Sequence, residues 1–522
     1  MKEIHEYDML VVGGGINGAG IARDAAGQGL KVALCEQGDL ANYTSSSSTK
    51  LIHGGLRYLE YYEFKLVRKA LREREVMLGI APHIVWPLRF IMPHVRELRP
   101  AWMIRIGLFL YDHLGGREKL PGSAGVDLRR DPVGACLDPS LTRGFIYSDC
   151  WVQDARLVVL NCMDAREHGA TVMPQTRCVD AERGESAWTA TLASMNSDVR
   201  RTVRARAMVN AAGPWVSRFL GEAAHVPDGK DVQLVKGSHI VVPRIFGHEH
   251  AYIFQHTDGR IVFAIPYEKE FTLIGTTDIK YDGDPAQAHA SAEEIDYLCS
   301  AVNRYFRDPV RANDVVWSYS GVRALYDEEE SSNASAVSRD YELDLDRDGA
   351  PLLSVFGGKI TTYRTLAQEA MRALAQPLEF EFHDWTGNAP LPGGDMPGAD
   401  FDRYLEGFRA RYEWLSNGLA WRWVRNYGTR AERLVGEAAS VADLGEHFGA
   451  DLYEAELRYL TENEWVMSAE DALWRRSKLG LRLDDAQQEQ VARWLRDHTA
   501  HPEEEKTNHD PDAGKRQQDR RL

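Results

Sequence analysis

The chain has 522 residues, of which 44% are apolar, 10% aromatic and 27% charged, and its formal net charge is −16. That length allows two or three domains around a large core, and the composition is that of a soluble globular protein. The negative balance, with no long basic block, excludes nucleic acid as an expected partner but leaves room for a locally basic pocket.

The opening MKEIHEYDMLVVGGG has too short an apolar stretch for a signal peptide, and no run of about 18 uncharged apolar residues marks a spanning helix. Residues 7–12 predict a buried parallel strand. GGGINGAG follows, then the alanine-rich AGIARDAAGQGL, which predicts a helix, then KVALC as a second strand ending at Glu36. In this order the pieces form a dinucleotide-binding unit. Gly13 allows the tight turn, Gly15 lets backbone approach a pyrophosphate, and Gly18 lets helix and strand pack closely. Glu36, 23 residues after Gly13, can accept hydrogen bonds from a ribose. An acid there argues against a 2′-phosphorylated ligand and does not separate FAD from NAD.

SSSSTKLIHGGLRYLE (45–60) comes next. By composition it is a polar linker, but its place after the second strand puts it on the ligand side of the sheet. Residues 45–48 offer hydroxyls, Gly54 and Gly55 permit close approach, and Arg57 offers a planar fork of donors to a phosphate or carboxylate.

GGGINGAGIARDAAGQGL with SSSSTKLIHGGLRYLEYYEFKLVRKALREREV resembles the FAD-dependent, respiratory glycerol-3-phosphate dehydrogenases, which are quinone-reducing and unlike the soluble NAD-linked enzymes. The resemblance recurs at LRPAWMIRIGLFLYDHLGG, YSDCWVQDARLV, NAAGPWV, KGSHIVVPR, IGTTDIKYDGDP, YSGVRALYDE, SRDY and LLSVFGGKITTYRTLA, and covers residues 5–370 densely. It implies an α/β chain: a Rossmann-like FAD-binding fold of the amino-acid-oxidase type, with a mixed-sheet substrate domain and a helical C-terminal domain. It also implies oxidation of sn-glycerol 3-phosphate to dihydroxyacetone phosphate, with FAD as cofactor and a membrane quinone as acceptor. The partners it implies are the membrane surface and a second copy in a homodimer, with the enzyme in the cytoplasm, peripheral to the inner face of the cell membrane.

Further along, 60–79 predicts a helix with a mixed-charge face. Residues 101–115, AWMIRIGLFLYDHLG, would make a helix about 22 Å long, too short to span. It is either a buried core helix or one lying in a membrane interface with arginines snorkelling. Strands are predicted at TVMP, WTATLASM and TVRARAMV within 170–209, and at QLVKGSHIVVP, AYIFQH, RIVFAIPY and FTLIGTT within 232–280. A helix is predicted over 291–306, strands over 315–319 and 352–356, and a helix over 359–374. The Pro- and Gly-rich 386–399 marks a linker. The expected layout is an FAD domain over 1–385 interleaved with a substrate part (80–140 and 220–340), a helical domain over 400–501 whose tryptophans pack its core, and a disordered tail over 502–522. Trp414 and Trp421 share a helix face only if Asn417 and Gly418 do not break the helix.

For chemistry, Arg57, Arg323 and Arg339 match arginines that line the family's substrate site, and their geometry suits phosphoryl oxygens. Lys359 resembles the lysine near flavin and substrate, where it could stabilise negative charge. His239 and His53 are both candidates for the base, His239 being favoured, with Lys236 and Tyr58 as polar neighbours. The expected FAD-binding set is Gly13, Gly15, Asn17, Gly18, Glu36, Ser45, Ser46, Ser47, Lys50, His53, Gly54, Gly213, Gly358 and Thr361. The six cysteines (35, 136, 150, 162, 178 and 299) have neither zinc-knuckle nor CxxC spacing and are expected as separate reduced thiols. No HExxH, EF-hand, GxSxG or P-loop lysine is present, so neither a metal centre nor a hydrolase is expected. The residues leave the electron acceptor open between quinone and oxygen, the 101–115 segment leaning towards quinone.

Overall fold

The computed structural model describes residues 4–95, 100–226, 232–256, 259–326 and 341–499. Arg339 and the 502–522 tail therefore lie outside the described residues. Two compact units divide the chain between Asp443 and Leu444.

In the first unit the elements run β1 (His5–Val12), α1 (Ile16–Gly27), β2 (Val32–Cys35), β3 (Leu51–Ile52), α2 (Phe64–Ile80), β4 (Val85–Pro93), α3 (Ala101–Leu114), β5 (Ala124–Asp127), β6 (Arg143–Val152) and α4 (Asp154–Glu167). They continue with β7 (Thr171–Met173), β8 (Thr176–Arg183), β9 (Trp188–Ser194), β10 (Arg200–Asn210), α5 (Val216–Glu222), β11 (Val232–Pro243), β12 (Ala251–Gln255), β13 (Ile261–Tyr267), β14 (Phe271–Gly275) and β15 (Ile279–Lys280). Then come α6 (Ala292–Asn303), β16 (Trp317–Tyr326), β17 (Glu342–Asp346), β18 (Leu352–Phe356), α7 (Tyr363–Leu378), α8 (Phe401–Arg411), α9 (Asn417–Tyr427) and α10 (Ala431–Val435).

One sheet has the order β17-β18-β10-β1-β2-β7, with the β8–β9 hairpin continuing from β10. The pairs from β18 through β7 are parallel. Met9, Leu10 and Val11 are fully buried, as a parallel strand covered on both faces requires. Helix α1 lies against α4 and α7. A Cβ on Gly18 would stand 1.9 Å from the Gly13 carbonyl oxygen, so only glycine lets α1 sit this close to the turn before it. Strand β8, whose charged, alternating RCVDAER gives little apolar signal, was not among the expected strands.

The second sheet has the order β15-β11-β14-β13-β12-β4-β6-β3, with β16 along β11 and β5 along β6. It is mixed, since β4 and β12 run parallel while the other pairs are antiparallel. Helix α6 covers it through Leu298 and Val302, packed with Ile240, Val242 and Ile274. β16 extends well beyond the expected 315–319. Ser320 and Gly321 suggest a stop, but the strand passes through them because Gly321 leaves room for another chain segment: its Cβ would stand 2.8 Å from Ser47 Cβ.

Asn417 and Gly418 open α9, with Ser416 Oγ accepting from the Leu419 amide, so Trp414 lies outside the helix that carries Trp421. Trp423 is fully buried. The second unit holds a short hairpin, β19 (His447–Gly449) and β20 (Leu452–Tyr453), then α11 (Glu454–Glu464), a π-helical turn over Asp471–Arg476 and α12 (Asp485–His498), which opens on a capping box of Asp484 and Gln487. Among the described residues no helix is long and apolar enough to cross a membrane.

Candidate active site

A cavity of about 540 Å³ extends from the C-terminal ends of β1 and β2 to the face of the second sheet. At its first end Gly13 adopts φ 112°, and a Cβ there would meet the Ala211 carbonyl oxygen at 2.4 Å. Gly15 is the extended residue before α1, and the Ile16 amide donates to Ser45 Oγ at 2.9 Å. The Glu36 carboxylate accepts from the Gly14 and Gly38 amides at 2.7 and 2.8 Å. Burial raises its pKa, and the two amides offset part of that rise. Asn17 donates to the Gly357 carbonyl at 3.0 Å, while its Oδ1 is buried with no hydrogen-bond partner. Gly358, at φ 102°, packs where a Cβ would lie 2.7 Å from Asn17 Nδ2. Gly213, at φ 58°, lines the same cavity.

The serine segment runs along the middle. Thr44 Oγ1 donates to the Val322 carbonyl at 2.6 Å, tying the segment to β16. Buried Asp154 anchors its far side, accepting from Ser48 Oγ at 2.7 Å and from Lys50 Nζ at 2.8 Å. Ser45 and Ser47 line the cavity. Ser46 and Lys50 are not among the lining residues: the Ser46 carbonyl accepts from Lys50 Nζ at 2.9 Å, and Lys50 is 1% exposed. Lys50 thus neutralises Asp154 and shapes the segment from below.

At the second end the cavity is lined by His53, Tyr58, His239, Arg323, Lys359 and Thr361. His239 on β11 faces Tyr319 of β16, the rings stacked at 4.8 Å. On its other side is Gly275, where a Cβ would meet the imidazole at 2.0 Å. The ring nitrogen Nε2 lies 2.9 Å from Thr49 Oγ1, and Nδ1 is buried without a partner. Burial, and then the charges of Lys50 and Arg323, lower its pKa to about 3, so His239 is neutral. Arg323 Nη2 pairs with Asp278 Oδ1 at 2.8 Å. Lys359 Nζ stands 3.9 Å above the Tyr58 ring. The His53 amide donates to Thr361 Oγ1 at 3.4 Å.

Besides Ser46 and Lys50, Gly54 and Arg57 also stand apart from the lining. Gly54 is buried, its amide donating to Tyr111 Oη at 2.7 Å. Arg57 Nη2 donates to Tyr61 Oη at 3.2 Å. After Gly55 the chain enters a 3₁₀ turn over Leu56–Tyr61, in which successive side chains diverge by about 120°, and Tyr58 rather than Arg57 is aimed at the cavity. Gly18 serves packing, as above. Thr49, Asp154, Asp278 and Tyr319 belong to the site and were not singled out from sequence. Each acts through a partner distant in the chain, and only the carboxylates in VQDARL and TTDIK offered any signal.

Comparison with known proteins places these features. The family model for FAD dependent oxidoreductases matches residues 8–364, and that for the C-terminal domain of alpha-glycerophosphate oxidase matches 385–506. The D-erythritol 1-phosphate dehydrogenase of Brucella abortus is 51% identical over 496 residues, 95% of this chain and 99% of that protein. The glycerol-3-phosphate dehydrogenase of Pseudomonas aeruginosa is 54% identical over 498 residues, 95% and 96% of the two chains. Among solved structures, the glycerol-3-phosphate dehydrogenase from Bacillus halodurans complexed with FAD superposes with a TM-score of 0.75 at 26% identity, over 94% of each chain. A doubly wound sheet, a glycine turn, a buried acid and an adjoining mixed sheet define a flavoprotein oxidoreductase. The chain belongs to the FAD-dependent oxidoreductases and, within them, to the FAD-dependent glycerol-3-phosphate dehydrogenase family.

Its cofactor is FAD, and the residues present fit it. The α1 N-terminus beside Gly15 suits a pyrophosphate, and Glu36 keeps lone pairs for ribose hydroxyls beyond its two amides. Asn17 Oδ1, buried and unpartnered, is an acceptor awaiting a donor in the cavity.

Proposed function

We propose that the chain oxidises sn-glycerol 3-phosphate to dihydroxyacetone phosphate, with a quinone as the final acceptor. The observation that carries this reading is one continuous cavity with a dinucleotide cradle at one end and Arg323, Lys359 and a neutral His239 at the other. FAD, when bound, would supply the acceptor for the substrate's hydride. Arg323 holds the phosphate, exchanging part of its pairing with Asp278 for two phosphoryl oxygens. Lys359 stabilises the charge that develops on the substrate oxygen as its proton leaves. His239 accepts that proton. Its depressed pKa keeps it unprotonated before substrate arrives, and a phosphate dianion screening Arg323 raises its basicity when it is needed. In this reading Arg339, matched by the SRDY segment, is a further phosphate contact, whereas Arg57, whose guanidinium turns to Tyr61, is not.

Helix α3 supplies the meeting place with quinone. Trp102 is 64% exposed, Met103 47%, Ile106 53% and Phe109 59%, on one side of the helix, while Leu108 and Tyr111 on the other side are buried. Tyr62 and Phe64 add exposed aromatic surface at the start of α2. We read this as the face that lies in a bilayer interface, with the enzyme at the inner side of the cell membrane; the free thiols of all six cysteines support the cytoplasmic side. The acceptor is tested by supplying glycerol 3-phosphate with a short-chain quinone in aerated buffer. Quinone reduction should account for nearly all electrons. Stoichiometric hydrogen peroxide would make the enzyme an oxidase instead.

A further inference from the structure

Tyr111 lies on the buried side of α3, directly behind the exposed apolar face. Its hydroxyl makes two kinds of contact. It accepts from the Gly54 amide at 2.7 Å and approaches both oxygens of Asp149, at 2.8 and 2.9 Å. Asp149, on β6, is also held by Arg74 Nη1 of α2 at 2.8 Å, and all three side chains are almost wholly buried. A carboxylate so deep in the protein is costly unless paired, and the guanidinium with the phenol hydroxyl supplies the pairing. The hydroxyl has one proton to donate to Asp149 and lone pairs with which to receive Gly54.

Gly54 is the residue after His53 and four before Tyr58, both of which line the substrate end of the cavity. It is also clamped sterically: a Cβ there would stand 2.6 Å from Leu71 and 2.8 Å from the Tyr111 ring. The only other acceptor near its amide among the described contacts is Asp149 Oδ1, at 3.5 Å. Without the Tyr111 oxygen the amide is left buried and short of a partner, and the turn gains by moving towards Asp149.

We propose that Tyr111 is a positioning residue: it fixes the backbone between His53 and Tyr58 and ties the substrate end of the cavity to the seat of α3. Binding of glycerol 3-phosphate then depends on how α3 sits. The link to a bilayer rests on the membrane reading above, whereas the positioning role does not.

The test uses the full-length holoenzyme and its Tyr111→Phe variant. Flavin reduction by glycerol 3-phosphate is followed by anaerobic rapid mixing, which separates the dissociation constant from the limiting rate. In solution the variant should show a dissociation constant raised about fivefold or more, the loss of one buried hydrogen bond, with its FAD content unchanged. Amide exchange in a peptide spanning 51–59 should quicken, as only a loosened turn would cause. With vesicles of phosphatidylethanolamine and phosphatidylglycerol, wild type should bind substrate more tightly than in solution, and the variant should sediment with the vesicles yet show no such response. An unchanged dissociation constant and unchanged exchange overturn the positioning role. A wild type that ignores vesicles overturns the link to the bilayer and leaves the solution result standing. If Tyr111→Phe yields no folded holoenzyme, Asp149→Asn keeps both hydroxyl and amide while weakening the anchor, together with the ion pair to Arg74. It should raise the dissociation constant in the same direction, and no change there overturns the proposal.

Discussion

Arg323 is held at 2.8 Å by Asp278 while it lines the cavity. A pre-formed carboxylate pair fixes the guanidinium in place until a phosphate dianion with two suitably spaced oxygens takes over part of that pairing. The consequence is selective. Arg323→Ala should weaken glycerol 3-phosphate binding by roughly 10- to 100-fold, the range for hydrogen bonds to a charged group, and hardly alter the binding of glycerol. Titrating flavin reduction with both compounds checks this, and an equal loss for both would remove Arg323 from the phosphate site. At this scale the sequence was readable where a residue acts by itself, as with Gly13 and Glu36. It was not readable where direction depends on a turn: Arg57 and Tyr58 are neighbours, and only the 3₁₀ geometry after Gly55 decides which faces the cavity.

Among the elements, α3 carries the clearest consequence. The text of 101–115 is equally compatible with a core helix and an interfacial one, because both are amphipathic with a short apolar run. The packing removes the core reading and leaves the other to be tested: Trp102, Met103, Ile106 and Phe109 are exposed, and only the opposite side is covered. A combined Trp102→Ser, Ile106→Ser, Phe109→Ser variant removes three side chains, each capable of about 1.5–3 kcal/mol of apolar burial. Co-sedimentation with phospholipid vesicles should fall at least tenfold. The melting temperature should stay close to wild type, since these side chains make little of the core. Undiminished sedimentation would place the membrane contact elsewhere. β16 shows the opposite relation of text to fold: Ser320 and Gly321 suggest a stop, and the strand continues because the serine segment needs the space a side chain would fill.

For the molecule as a whole, two fully buried histidines set a limit at acid pH. His239 and His83 both have pKa values lowered to about 3 from the ordinary 6.5, by burial first and then by neighbouring cations, Lys50 and Arg323 for the one and Arg156 and Arg425 for the other. Between about pH 6.5 and 3 the unfolded chain binds protons that the folded chain refuses. Stability therefore falls as pH falls through this window, by up to about 1.4 kcal/mol per pH unit for each group. Melting scans from pH 7 to 5 should show this decline, and His83→Gln, which cannot take up the proton, should make it shallower. A flat profile for wild type would contradict the burial of both rings as charged-intolerant groups. The large-scale plan was legible before the structure, because glycine turns, buried strands and the order of segments are written locally. The connections that make the plan work are not local: Asp154 beneath the serine segment, Asp278 beside Arg323 and Tyr111 behind Gly54 each join residues far apart in the chain. No periodicity or motif announces them.

In the proposed reaction this cavity delivers the hydride of glycerol 3-phosphate to FAD. Anaerobic rapid mixing of the holoenzyme with glycerol 3-phosphate, followed at the flavin's visible absorbance, tests it most directly. Bleaching should be rapid and complete with glycerol 3-phosphate and absent with glycerol at the same concentration. A flavin that stays oxidised with glycerol 3-phosphate, in an enzyme that dithionite still reduces, would contradict it.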